Sequence, residues 1–425
     1  MSPLHICCNI LEGLKSLIYS PAFLAQFHEK HHFIRKRKLT ISQVILFLLY
    51  TSKASMNLNL SNIRDDLKEL HFPELTKQAL SKARLKLKPL LFKTLFLHSV
   101  ETFYASSPSR KKWNGYHVFA IDGSCIQVPK TKDNISYFGL CRNQYHSRED
   151  SMACISILYD VMEDIVVDGV LHPYHYAERR SAMEHLSCLE SVGLKDKTVV
   201  LFDRGYPSYE FYRHFDTENY FYVMRIQSAV KSLTQLFSKD EITQYCPSYI
   251  EDGKTVRVRV IHVELDDGTD ECFVTNIMDP AMTPAMFKEL YFRRWKIESK
   301  YNELKNQLQL EEFSGAVPTN VEQDFFIHLL FMNLCALLKS EADEKIRQEK
   351  KKRNYEYQAN RAYIIGRLKK HLACLLSGGE TIPVILAQFV KEAVKKRSQI
   401  QPNRTSKRPR IQLRHRHCKN RKTTM

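Results

Sequence analysis

HVFAIDGSCIQV, residues 117–128, sets the fold class. Its first half, His117–Asp122, is an apolar run with the length of a buried strand, and it ends on an acid. Gly123-Ser124 reads as a turn, and Cys125–Val128 as a second short strand. Downstream, Met152–Asp160 and Ile165–Leu171 form a strand pair joined across residues 162–164. Ala177–Ser191 then fits a helix, and Thr198–Asp203 (TVVLFD) a second apolar strand that ends on an acid. Pro207–Phe215 reads as a helix and Tyr220–Arg225 as a strand. Strands in antiparallel connection, followed by helix, strand, helix and strand, predict a mixed α/β sheet with helices packed on it.

Upstream the pattern is helical. Leu39–Tyr50, a segment from Ser61 and a segment from Thr76 carry helical apolar spacing, with Pro89 dividing the last. Beyond Arg225, residues 254–277 read as a hairpin turning at Asp266-Asp267-Gly268. Pro284 opens a helix expected to reach Leu310. Thr319 and Glu322 have the spacing of a capping box before an apolar helix that runs to Leu338. A last helix is expected over about 383–397, after the Ser377-Gly378-Gly379 stop. The domain boundaries expected are 1–110 (helical), 111–340 (catalytic, with a β-rich insertion at about 227–284), 341–394 (helical) and 395–425 (a basic tail).

Acids at strand ends face the crevice where open sheets bind ligands. Asp122 and Asp203 each stand there, although an Asp before Gly also suits an ordinary turn. The helix from Pro284 adds a third acid. At about 100° per residue, Tyr291 lies about 20° from Glu298, Arg294 about 40° and Lys305 about 20°, so all four share one face. An i,i+4 Arg–Glu pair on a solvated helix would explain Arg294 and Glu298, but not the Tyr and Lys in line with them.

The spacing Tyr291-x2-Arg294-x3-Glu298-x6-Lys305 resembles the YREK signature of insertion-sequence-4-type DDE transposases. Asp122-Gly123-Ser124 and Asp203-Arg204-Gly205-Tyr206 are similar to the family's first and second aspartate motifs, and residues 20–340 carry the likeness. The resemblance implies a ribonuclease-H-like domain that cuts and joins DNA at the ends of its own element, through a hairpin intermediate. Asp122, Asp203 and Glu298 would be catalytic and metal-binding, because converging acids stay ionised only beside a cation. All-oxygen ligation suits Mg²⁺ or Mn²⁺, and two such ions suit in-line phosphoryl transfer. Tyr291, Arg294, Lys305 and Arg204 would then hold DNA near the scissile bond. Terminal inverted repeats would bind the N-terminal region, where Lys77, Arg84, Lys86 and Lys88 flank a recognition helix and Arg35–Lys38 suits phosphate. A homodimer is expected to synapse two ends. A nuclease that only hydrolyses, or a domesticated DNA-binding relative, is the alternative. In one departure from the family, neither Trp113 nor Trp295 lies in the insertion, so a flipped base would have to stack on Phe237, Tyr245 or Tyr249, or the hairpin step would be stabilised differently.

Composition agrees with a nucleic-acid partner. The 425 residues carry 64 Lys+Arg against 47 Asp+Glu, a net charge of +17. Residues 1–105 contribute +8 and 395–425 contribute +12, which leaves the middle at −3, where the acids lie. Arg257 and Arg259 alternate with valines and suit a DNA-facing strand. The N-terminus lacks the form of a signal peptide. The apolar stretches Val44–Tyr50 and Phe325–Leu338 are shorter than the roughly 18 residues of a membrane span, so a cytoplasmic, nucleoid-associated bacterial protein is expected. Eleven cysteines without a C-x-x-C pair suggest reduced thiols, and His415, His417 and Cys418 make no complete metal set. His172 and His175 are expected in a turn, and Lys350–Arg353 as a solvated charge run.

Overall fold

The computed structural model describes residues 1–34, 39–50, 53–106, 110–142, 149–226, 240–246, 253–265, 268–349, 355–378 and 381–400. Arg35–Lys38, Asp266-Asp267, Phe237, Tyr249, Lys350–Arg353 and residues 401–425 lie outside that set. The chain divides into two compact units. One comprises residues 109–125 and 154–302, the other residues 1–108, 126–153 and 303–425.

The sheet strands are β1 (His117–Gln127), β2 (Leu140–Arg142), β3 (Glu149–Asp160), β4 (Ile165–Pro173), β5 (Thr198–Phe202), β6 (Phe221–Arg225), β7 (Glu241–Tyr245), β8 (Val256–Glu264) and β9 (Asp270–Thr275). Their order is β2-β3-β1-β5-β6-β9-β8-β7, with β4 paired to β3. β5 lies parallel to both β1 and β6. The four-residue link between β3 and β4 is one that antiparallel neighbours can use, whereas parallel neighbours need a long crossover. The core order β4-β3-β1-β5-β6, three strands in sequence order followed by two reached through helical crossovers, is that of a ribonuclease-H-like sheet. All five residues of β5 (TVVLF) are buried, as in a parallel strand covered on both faces.

One expectation changes here. HVFAIDGSCIQ is one strand rather than two, because β1 runs on through Gly123-Ser124 without a turn. The β-rich insertion stays within the sheet of the catalytic region. β9 pairs antiparallel with β6, so the insertion extends the main sheet. The valines of β8 face the core as expected. Arg259, however, is also buried, where it pairs bidentately with Asp240 (3.0 and 2.8 Å) and donates to the Asp279 carbonyl (3.0 Å). This salt bridge takes up the arginine that the strand pattern had suggested for DNA. Arg257 is exposed.

The second unit is built on Pro318–Gln348, at 31 residues the longest helix among the described residues. Length and composition alone would let it cross a membrane, but 89% of its most apolar window is buried in this protein. Helices Pro3–Ile18, Leu90–Ser106, Arg361–Ser377 and Ile382–Lys395 pack on it. Each fully buried Leu, Ile or Phe at such a contact contributes about 1.5–3 kcal/mol. That packing overrides the linear boundaries expected: the N-terminal and C-terminal helices form one body with residues 303–340. Pro89 does separate two helices, Lys77–Arg84 and Leu90–Ser106. The capping box does not form. Val317 is the N-cap without a side-chain bond, and Glu322 accepts instead from the Tyr137 hydroxyl (2.8 Å). β10 (Tyr357–Ala359) and β11 (Arg397–Gln399) make a separate antiparallel pair. None of the ten described cysteines forms a disulfide.

Candidate active site

Asp122 lies within β1 and Asp203 just past β5, on neighbouring parallel strands. The third acid comes from a helix that is less regular than its sequence suggests. An α-helix over Pro284–Phe292 gives way to a 3₁₀ turn at Arg293–Trp295, then to an α-helix at Lys296–Asn302 and a π turn at Glu303–Gln307. Such interruptions recur at functional sites. Tyr291, Arg294 and Glu298 nevertheless converge on the aspartates, as their shared face predicted.

Arg294 stands at the centre, with its side chain only 3% exposed. Its Nη1 lies 3.7 Å from Asp122 Oδ2, and its Nη2 lies 3.9 Å from Asp203 Oδ2 and 3.5 Å from Glu298 Oε1. Burial works against the guanidinium charge, yet Tyr291 and the three carboxylates hold its pKa above the ordinary value. The Tyr291 ring stacks on Phe273 (4.5 Å between centroids) and its hydroxyl donates to Asp203 Oδ1 (3.3 Å). Burial pushes the Asp122 carboxyl up to about 6, with Asp203 and Glu178 adding to the rise and Arg294 and the Gly123 amide opposing it. A carboxyl raised in this way is incompletely neutralised by one guanidinium.

Asp122 is held from behind. Its carbonyl accepts from Ser156 Oγ (3.2 Å) and from the Tyr301 hydroxyl (2.5 Å). His185, fully buried, places Nε2 3.0 Å from Ser156 Oγ and Nδ1 2.8 Å from Asp168 Oδ2. The chain Asp168–His185–Ser156–Asp122 thus ties β4 and the helix Glu178–Ser191 to β1. The arrangement has the order of a hydrolase triad, but Ser156 is 1% exposed and its hydroxyl is committed to the Asp122 carbonyl, so it positions and does not attack. Only Asp168, polar within IVVDGVL, signalled this network in the sequence. Replacing His185 by Ala should cost about 1–3 kcal/mol in urea unfolding, because two buried partners lose their hydrogen bonds. An unchanged midpoint would exclude the supporting role.

The other expected DNA contacts divide. Arg204, Lys77, Lys86 and Lys88 are exposed. Lys305 lies in the π turn, in the unit that does not hold the acids, so the helical-face angle drawn to it does not apply. Arg294 and Tyr291 are buried with their polar groups turned to the acids, and in this arrangement neither reaches outward to a phosphate. Arg84 is a correction: it is 2% exposed and bonded to Asp324, Gln323, Ser314 and the Asn320 carbonyl. Tyr245 packs edge-on against Tyr209 and Tyr212, whereas Trp295, beside Arg294, is 44% exposed. His172 lies within β4 rather than in the expected turn, against Glu184 (3.0 Å), whereas His175 does fall in the turn.

A ribonuclease-H-like sheet here carries aspartates on two adjacent parallel strands, with a glutamate from a later helix brought to the same arginine. Residues 113–334, just over half the chain, match the family described as the transposase DDE domain, and the chain belongs to that family. Its structure is similar, over 92% of this chain and 85% of the other, to piggyBac transposase in a cryo-EM structure of the synaptic complex with hairpin DNA, with a TM-score of 0.48 and 10% identity. No curated protein matches the chain.

Transposase DDE domains generally use divalent metal ions. Three carboxylates with side chains 22–35% exposed are the hard oxygen donors such ions prefer. As placed, no three His, Cys, Asp or Glu side chains among the described residues stand close enough to share an ion. A guanidinium lies among these three instead.

Proposed function

We propose that this protein is an insertion-sequence transposase of the insertion-sequence-4 type, which binds the terminal inverted repeats of its element and cuts and rejoins DNA in a cut-and-paste reaction. Asp122, Asp203 and Glu298 would hold divalent metal, Mg²⁺ or Mn²⁺ and two ions in this reading, which would supply Lewis-acid chemistry for phosphoryl transfer. The observation that carries the reading is the convergence of these three acids, 176 residues apart in sequence, on one buried cation. Arg294, Tyr291, Lys305 and Arg204 would position the DNA strand. Exposed Lys77, Lys86 and Lys88, at the helix Lys77–Arg84 and just beyond it, supply phosphate contacts for end binding. Two copies synapse the two ends, in the bacterial cytoplasm at the nucleoid.

The test incubates purified protein and Mg²⁺ with a supercoiled plasmid that carries the element's ends. Excised or hairpin-ended product, with insertion into a second plasmid, is expected. Nicking without joining would replace the transposase by a nuclease, and binding without cleavage would point to a domesticated relative.

A further inference from the structure

The helical segment that carries Glu298 also carries a basic stripe, Arg293, Lys296 and Lys300. Within the α-helix Lys296–Asn302, Lys296 and Lys300 each lie about 160° from Glu298, on the opposite face. Cations in a stripe beside a DNA-cutting site would suit phosphate contact. Their bonds go elsewhere, to the four-residue link between β3 and β4. Lys300, only 2% exposed, places its Nζ 2.8 Å from Asp164 Oδ1. Lys296 Nζ donates to the Val161 carbonyl (2.9 Å), and Arg293 Nη1 stands 3.8 Å from the Met162 sulfur. All of these residues belong to one compact unit.

The link is braced by its own residues. Asp160 Oδ1 accepts from the amides of Met162 and Glu163, 3.0 Å each, as in an Asx turn. Asp164 takes a φ of +65°, which few residues other than glycine adopt. The Tyr159 hydroxyl donates to Asp164 Oδ1 (2.7 Å), the oxygen that Lys300 also reaches. The helix, by contrast, lacks regular continuations, because a 3₁₀ turn precedes it and a π turn follows. Its rotation about its own axis therefore depends on what its two faces touch.

We propose that the β3–β4 link sets the rotation of the helix Lys296–Asn302, and that Lys300 is a positioning residue. Through Asp164 it holds the back of the helix, so that Glu298 on the front points to Arg294 and the two aspartates. The inference rests on the reading of Glu298 as an active-site acid, and the experiment below separates the two.

Lys300→Met keeps an unbranched side chain without its charge, and Asp164→Gly removes the other partner while accepting the left-handed backbone. At saturating end DNA with Mg²⁺, each variant should cleave about 10–100-fold more slowly than wild type, the cost of a misplaced acid. The double variant should be no slower than the slower single one, because both changes break one pair. In EDTA, affinity for end DNA should stay within about twofold, while amide exchange over residues 296–302 should quicken in both. Weaker binding in EDTA by Lys300→Met, with a shallower salt dependence, would make Lys300 a phosphate contact and overturn the proposal. Additive losses in the double variant, or unchanged amide exchange, would also overturn it. Wild-type cleavage rates in both single variants, beside an inactive Glu298→Gln, would overturn the positioning role and leave the reading of Glu298 standing. A Glu298→Gln variant as fast as wild type would overturn both. If Lys300→Met fails to fold by circular dichroism, Asp164→Gly decides alone, and a wild-type rate in it overturns the proposal.

Discussion

Glu298→Gln should reduce cleavage of element-end DNA by at least about a thousandfold, a loss of about 4 kcal/mol of transition-state stabilisation. Gln keeps the size of the side chain and can still accept a bond from Arg294, but it removes one of three charges that must face a divalent ion. Metal-assisted phosphoryl transfer depends on that ion for several kcal/mol. Stability should change little, by about 1 kcal/mol or less, because the Glu298 side chain is 30% exposed and its pairing with Arg294 at 3.5 Å is loose. Cleavage rates of the variant and wild type, measured on the same end substrate beside their urea midpoints, check both halves. A rate within tenfold of wild type would remove Glu298 from the site.

Arg84→Ala should destabilise the helical unit by about 3–5 kcal/mol, with or without DNA present. Arg84 donates from Nη2 to Asp324 (2.7 Å), from Nε to Gln323 (2.6 Å) and from Nη1 to Ser314 (2.6 Å), joining the helix Lys77–Arg84 to the long helix Pro318–Gln348. Removing it leaves a buried carboxylate whose remaining bonds come from Ser314, whose amide donates to Asp324 Oδ2 (2.7 Å). Burial pushes the Asp324 carboxyl up, but Arg84 foremost, with His328 and the Ser314 amide, brings it below its ordinary value. The folded pKa thus lies below the unfolded one, about 3.9. The pair's contribution is therefore complete above that pH and is lost as pH falls through the folded value. The wild-type advantage over Arg84→Ala should narrow from about pH 4 downward. Equal urea midpoints at pH 7 would return Arg84 to the surface role that its basic helix suggested.

Both predictions follow from one distinction, between charge patterns that the chain displays and charge pairs that the fold makes. The helix Lys77–Arg84 reads as a basic recognition surface, and Lys77 keeps that exposure. Arg84 faces the other way because its partners lie about 230–240 residues further on. Arg259 repeats the lesson: its spacing with Arg257 implies one face, but Asp240 captures it beneath the sheet edge. Helical periodicity placed Tyr291, Arg294 and Glu298 together correctly, since seven residues span only two turns. It failed for Lys305, where a π turn and a change of unit intervene.

Local pattern along the chain was enough to show most of the strand and helix succession, the acids that close two apolar runs, and the helix face that Glu298 shares with Arg294 and Tyr291. Each of these depends on near neighbours, through strand length, turn chemistry and the 3.6-residue helical repeat. Only the tertiary structure decided that β1 continues through Gly123, that the insertion joins the main sheet, and that the terminal helices share a body with residues 303–340. It alone placed Arg294 among the three acids and the Asp168–His185–Ser156 chain behind Asp122. The physical reason is common to all of them: these contacts join residues distant along the chain, and burial sets the energy of their charges.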